Sequence, residues 1–124
     1  MLNDESKTRD LRKRTKDFAL RIIRLCASLN SSGAAAVISR QLLRCGTSVG
    51  AQYREACRAR SQAEFISKIE SATQELDEAT YWMELLQDAG LVEERLLREL
   101  HGEADELIAI LVASVRTAKN KGDD

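Results

Sequence analysis

The chain has 124 residues, a net charge of −1, 44% hydrophobic residues and 31% charged residues. This composition excludes a wholly disordered chain and suits one domain with a modest core. The sequence has no proline and only 4% aromatic residues, which favours long helices packed through aliphatic side chains, because proline breaks a helix interior.

Two helices are predicted in the first half of the chain. The first covers residues 4–30, and its apolar residues recur at helical spacings: Leu11, Phe18, Ile22, Leu25 and Leu29. A polar break at residues 30–33 ends this helix and offers a new N-cap. The second helix covers residues 34–59, with inward positions at Val37 or Ile38, Leu42, Val49 and Tyr53.

The second half predicts two more helices. The third covers residues 61–90, opens on a capping box from Ser61 to Glu64 and ends at a C-cap Gly90. Its core positions are Phe65, Ile69, Ala72, Leu76, Ala79, Met83 and Leu86. The fourth covers residues 93–118 with core positions Leu97, Leu100, Ala104, Leu107, Leu111 and Val115, and residues 119–124 are predicted to be a frayed tail.

Long helices joined by short loops predict an all-α, antiparallel, up-down-up-down four-helix bundle with one domain over residues 1–124. Tyr81 and Trp82 lie beside the seam of core positions, and Ile23, Ile66 and Leu85 also fall outside it. The apolar stripe is thus wider than one small bundle needs, and a flanking Trp tends to anchor an interface. We therefore expect a homo-oligomer.

No catalytic centre is expected. The single histidine, His101, follows Arg98 by three residues, so the paired Glu-x-x-His motifs of a di-iron bundle are missing. Cys26, Cys45 and Cys57 form no CxxC pair and suit burial as reduced thiols. We predict a non-enzymatic protein with no metal and no cofactor.

The N-terminal sequence is polar and lacks a secretory signal, and no apolar run approaches the roughly 20 residues of a membrane span. These features predict a cytoplasmic protein with no membrane partner.

Gly46 and Gly50 fall in the middle of the second helix, near Tyr53. Glycine is unfavourable inside a helix, so this pair indicates a close approach of another backbone. A helix crossing inside the protomer and a subunit interface explain it about equally well, and a ligand groove is the third choice. Gly46, Gly50, Tyr53, Tyr81 and Trp82 are the candidate residues for helix packing or an oligomer interface.

Basic residues concentrate in the first half of the chain. Residues 1–60 hold 13 Lys or Arg against 5 Asp or Glu, and residues 61–124 hold 6 against 15. The candidate nucleic-acid-binding residues are Arg40, Arg44, Arg54, Arg58 and Arg60. Basic residues of the first helix could extend them into one cationic surface: Arg9, Arg12, Lys13, Arg14 and Lys16. Such a surface can follow a phosphate backbone. The alternative is a solvated face that the acidic third and fourth helices partly neutralise.

One stretch is more specific than a helical pattern. It runs from Gln41 to Ala56 as QLLRCGTSVGAQYREA, followed by Arg58-Ala-Arg-Ser61, Glu64-Phe-Ile66 and Glu75-Leu76. It resembles the "four helix bundle protein" family, which is encoded within intervening sequences of bacterial 23S ribosomal RNA genes and by free-standing bacterial genes. The resemblance covers about residues 15–115, and this chain has Gln52 where many relatives have Asn.

The resemblance implies an antiparallel four-helix bundle that assembles into a ring-like homopentamer without enzymatic activity. The sequence is also similar to the accessory protein of diversity-generating retroelements, a basic pentamer that binds nucleic acid and a reverse transcriptase. The partners that follow are other copies of the chain, RNA or DNA, and by analogy a reverse transcriptase. The alternative is a protein–protein assembly module with no role on nucleic acid.

Overall fold

The computed structural model describes the backbone of residues 2–122 and the side chains of residues 5–121. It contains four helices: α1 (Leu2–Ala27), α2 (Gly33–Cys57), α3 (Gln62–Asp88) and α4 (Glu94–Gly122). Within residues 2–122 there is no strand. The predicted all-α fold with four helices is confirmed. None of these helices combines the length and apolar character that crossing a bilayer requires.

The helix boundaries differ from the prediction by one to four residues, and α1 ends at Ala27 rather than at residue 30. α2 ends at Cys57, and Arg58 already leaves helical geometry with φ −106° and ψ 12°. The predicted frayed tail is wrong as far as Gly122, because α4 continues to that residue. The Gln62 side chain donates to the carbonyl of Ala118, and Lys119 Nζ lies 3.6 Å from Glu70 Oε2. These contacts hold the last turns of α4 against α3; residues 123–124 lie outside the described residues.

The ends of α3 follow the predicted chemistry with one correction. Ser61 Oγ accepts a hydrogen bond from the Glu64 N–H at 3.1 Å. The Glu64 carboxylate accepts from the N–H of Arg60 at 3.3 Å, one residue before the N-cap, so the capping box is displaced by one position. At the other end Gly90 has φ +73°, and the Leu91 N–H bonds to the carbonyl of Leu86. This is a Schellman ending, which glycine favours because it lacks a Cβ.

One hydrophobic core runs between the four helices. All predicted core positions of α4 are buried, and so are those of α3 except Phe65, which is half-buried. Of the core positions predicted for the first helix, Leu25 near the end of α1 and Leu29 just beyond it are half-buried. In α2 the inward residue is Ile38, because Val37 is 53% exposed.

Contacts between neighbouring helices join early positions of one helix to late positions of the next. Along α1 and α2, the Cys26 thiol donates to the carbonyl of Ser39, and Gly50 lies against Thr15. Between α2 and α3, Arg44 reaches Glu78, whereas the later Glu55 reaches the earlier Lys68. α2 and α3 pack together most extensively, and α1 and α4 least.

Candidate nucleic-acid interface

The five candidate arginines are all exposed, but the structure does not bring them together as one surface. Arg44 is engaged with α3, where its Nη2 lies 2.7 Å from Glu78 Oε1 and its Nη1 lies 3.5 Å from Glu75 Oε2. Arg40 is 14 positions before Arg54, which separates them by about 21 Å along the helix. Arg44 is therefore a structural residue here, and Arg40 stands apart.

The other three arginines lie at one end of the molecule. Arg54 and Arg58 are one helical turn apart at the end of α2, about 6 Å along the axis. Arg60 follows in the connection to α3, just before its N-cap Ser61. Within residues 5–121, none of these three guanidinium groups makes an ion pair.

The basic residues of α1 divide into engaged and unengaged groups. Lys13 pairs with Asp17 at 2.8 Å, and Arg14 reaches Glu103 and Glu106 on α4 at 2.6 and 3.1 Å. Arg12 is half-buried, and its Nε is enclosed without a hydrogen-bond partner. Arg9 and Lys16 are exposed and make no ion pair with any residue in the range 5–121. They are seven positions apart and thus share one face of α1.

The three arginines near the end of α2 and the unpaired Arg9 and Lys16 of α1 lie at similar heights along the bundle. Gly50 lies against Thr15, and the Thr8 side chain donates a hydrogen bond to Tyr53. Arg54 and Arg58 are thus level with the first turns of α1. We call Arg9, Lys16, Arg54, Arg58 and Arg60 the cationic face. The basic surface predicted from the sequence contracts to this end, because Arg14 and Arg44 pair with acidic residues of α4 and α3, Lys13 pairs with Asp17, and Arg40 stands apart.

The two glycines lie at the crossing of α1 and α2. Gly46 is buried against Ile22, and a Cβ there would stand 2.9 Å from Ile22 Cγ1. At Gly50 a Cβ would stand 3.2 Å from Thr15 Oγ1. Tyr53 is only 5% exposed and belongs to the core of the protomer. The close approach at all three positions is made by the chain's own helices.

The aromatic pair of α3 lies at the surface. Tyr81 is 54% exposed, and Trp82 is half-buried with its Nε1 3.4 Å from Glu78 Oε1. The two rings meet edge to face with centroids 5.2 Å apart. Neither ring belongs to the cationic face, which is formed by α1, the end of α2 and the connection to α3.

The remaining candidates for chemistry lie apart from one another. His101 Nε2 is 3.1 Å from Glu84 Oε2, and its Nδ1 is 3.3 Å from Asp105 Oδ2. Cys45 is buried in the core, and this burial raises the pKa of its thiol to about 12. Cys26 and Cys57 are half-buried. Across residues 5–121, no three His, Cys, Asp or Glu side chains are grouped as metal ligands would be.

The chain is thus an all-α protein with four helices around one core and a cationic face at one end. The sequence profile of the 23S rRNA-intervening sequence protein family matches residues 7–113. The chain belongs to this family. The suspected family resemblance is confirmed.

A solved structure with the same fold supports this assignment. It is a protein of unknown function from the S23 ribosomal protein family of Bacteroides thetaiotaomicron, and it is 31% identical to this chain with a TM-score of 0.78. The match covers 84% of this chain and 96% of that protein. No curated protein matches the chain.

Proposed function

We propose that this protein is a non-enzymatic cytoplasmic scaffold that associates with RNA through its cationic face. The observation that carries the proposal is that some basic residues pair with carboxylates of other helices, whereas those of the cationic face do not. Arg14, Arg21 and Arg44 lie within 4 Å of carboxylates on α3 or α4. The five residues of the cationic face have no such partner within residues 5–121, so their charges are available to phosphates.

The proposal includes an architecture. The short connections and the opposite order of contacts along neighbouring helices support an antiparallel, up-down-up-down bundle. The chain is proposed to assemble into a homopentamer, as the family resemblance implies. Assembly would repeat the cationic face on every subunit, so that several weak phosphate contacts act together on one RNA.

The experiment is a titration of a structured RNA, such as a ribosomal RNA hairpin, at several salt concentrations. Wild type should bind more weakly as salt rises, with a log–log slope set by the number of phosphate contacts. The double variant Arg54→Glu with Arg58→Glu should abolish binding and leave the helical content unchanged. Arg116→Glu is the control for the single variant Arg54→Glu, because Arg116 is an exposed arginine of α4 outside the cationic face.

Two outcomes would overturn the RNA role. One is no binding by wild type at low salt, and the other is equal loss of affinity in Arg116→Glu and Arg54→Glu. Both results would leave the fold and the family unaffected. Single-stranded RNA of equal length is a useful comparison, since the cationic face holds no aromatic residue for base stacking.

A protein–protein assembly module is the second candidate, and exposed apolar side chains favour it. Ile23 is 43% exposed and Leu43 is 36% exposed, and Leu91 and Leu96 are also exposed. Light scattering during size exclusion distinguishes an oligomer from a monomer of 13.8 kDa. An oligomer that Ile23→Ser or Tyr81→Ser dissociates, with no RNA binding by wild type, would favour this candidate over the first.

A further inference from the structure

A cavity of about 880 Å³ opens between the start of α1 and the end of α4. Its floor is formed by the buried residues Leu11, Tyr53 and Ala56. Half-buried Phe65 of α3 and Ile110 of α4 form its walls. The volume falls within the range of about 300–1,000 Å³ typical of small-molecule sites, which in helical proteins lie between helices.

The cavity exists because of the side chains along this seam. α4 contributes Ala113, Ser114 and Ala118 to the lining, all of them too small to reach α1. Toward the other end of the same two helices, the larger side chains of Phe18 and Leu97 are almost completely buried. The sequence thus leaves one end of the α1–α4 seam open while it closes the other.

The lining has the chemistry of a site for an amphiphile. Apolar surfaces come from Leu11, Phe65 and Ile110, and the Tyr53 phenol adds a polar group at depth. Burial raises the pKa of this phenol, and contact with Cys57 raises it further, so the phenol stays protonated. Ser114 and Thr117 add hydroxyl groups along α4.

The charges at the opening favour an anion. Lys7 and Lys121 line the cavity from the two opposing helices, and both are exposed, so they stand at its mouth. Among residues 5–121, Asp10 is the remaining charged residue of the lining. Within this described part of the lining, two ammonium groups stand against one carboxylate, and the deeper residues carry no charge.

We propose that this cavity binds a small amphiphilic carboxylate, with its apolar body between Phe65 and Ile110 and its acid group beside Lys7 and Lys121. The inference is independent of the RNA role, because the cationic face lies on other side chains. The geometry requires no covalent step, and Cys57 serves only as a reporter on the wall.

The probe is decanoate, measured by calorimetry against the full chain, with decylammonium as the comparison of opposite charge. Decanoate should bind and decylammonium should not. Ser114→Leu fills the cavity and should abolish binding, and Ile110→Trp is a second filling variant in case the first unfolds. Lys7→Gln with Lys121→Gln should weaken decanoate several-fold, whereas the charge-matched control Lys13→Gln with Lys68→Gln should not.

Thiol labelling gives a second measurement. Decanoate should slow the reaction of Cys57 with a maleimide, read as the difference between wild type and Cys57→Ser. Equal affinity of decanoate and decylammonium would overturn the assignment of a carboxylate. Unchanged decanoate binding in folded Ser114→Leu and Ile110→Trp, or no decanoate binding by wild type, would overturn the cavity as the site.

Discussion

The guanidinium of Arg14 on α1 contacts both carboxylate oxygens of Glu103 on α4, with Nη2 2.6 Å from Oε1 and Nε 3.0 Å from Oε2. The two side chains are 27% and 19% exposed, so water screens the pair only in part. This is the strongest polar contact between two helices that otherwise pack sparsely. This bidentate contact fixes the register of α1 and α4 with a geometry that a lysine could not reproduce.

We expect Arg14→Gln and Glu103→Gln each to lower the free energy of unfolding by about 1–2 kcal/mol, because each removes a charged hydrogen bond and leaves its partner half-buried. The double variant should lose less than the sum of the two single losses. Urea denaturation of the four proteins measures this coupling. Strictly additive losses would show that the two groups act independently.

The same pair predicts a pH dependence. The Arg14 guanidinium holds the pKa of the Glu103 carboxyl below its ordinary value of 4.5. A carboxyl with a lowered folded-state pKa stabilises the fold above its ordinary pKa, and this contribution is lost as the pH falls through the lowered value. The stability gap between wild type and Glu103→Gln should therefore be full at pH 7 and close below pH 4.5. A gap that persists at the lowest pH would contradict the assignment.

Glu75 should behave in the opposite way. Burial raises the pKa of its carboxyl, Arg44 lowers it by a smaller amount, and the nearby Glu78 raises it again. A raised folded-state pKa means that ionised Glu75 costs stability, and that stability falls as the pH rises from 4.5 through the raised value. Glu75→Gln should consequently melt at or above wild type at pH 7, with no advantage below pH 4.5. Glu78→Gln, which removes the 2.7 Å contact with Arg44, is the control and should melt lower.

The core could be predicted from the sequence because heptad-like spacing reports burial directly. Ile69, Leu76 and Met83 are seven positions apart and so share one face of a helix, and all three are fully buried. Burial was less predictable at the end of α1, where Leu25 is half-buried, and just beyond that helix, where Leu29 is half-buried. Helical spacing identifies a face, but it does not say how far along that face the neighbouring helices extend.

The candidate site could be predicted only in part. Arg44 and Arg54 look equivalent in the sequence, yet Arg44 faces the acidic side of α3 and Arg54 does not. One signal was available for α1: Glu99, Glu103 and Glu106 recur on the face of α4 beside its core residues. The cavity had no such signal, because the small residues of α4 leave a space only when the other helices are packed around them.

The N-cap of α3 should matter more than that of α2. Ser61 Oγ accepts from the Glu64 N–H, whereas the Ser32 hydroxyl makes no capping bond and donates to Asn30 Oδ1. Ser61→Ala should cost about 1 kcal/mol, the usual loss at a bonded cap. Ser32→Ala is the matched control and should cost clearly less. Thermal unfolding of both variants tests this, and equal losses would contradict the difference in capping.

The two glycines of α2 should respond differently to the same substitution. Alanine at either position gains up to about 1 kcal/mol in helix propensity. At Gly46 the new Cβ would stand 2.9 and 3.0 Å from the γ carbons of Ile22, a buried, β-branched side chain with little room to move. Overpacking costs about 1–3 kcal/mol, so Gly46→Ala should be destabilised. At Gly50 the nearest atom is Thr15 Oγ1 at 3.2 Å, so Gly50→Ala should stay within about 0.5 kcal/mol of wild type.

A third glycine supplies the reference for propensity alone. Gly102 lies inside α4, and a Cβ there would meet nothing within 4 Å. Gly102→Ala should therefore stabilise the protein by about 1 kcal/mol. Gly50→Leu, a larger change at the same crossing, should lose about 1–3 kcal/mol. Denaturant titrations of the four variants rank them, and Gly46→Ala as stable as Gly102→Ala would mean that α1 and α2 do not approach at Ile22 as closely as the structure has them.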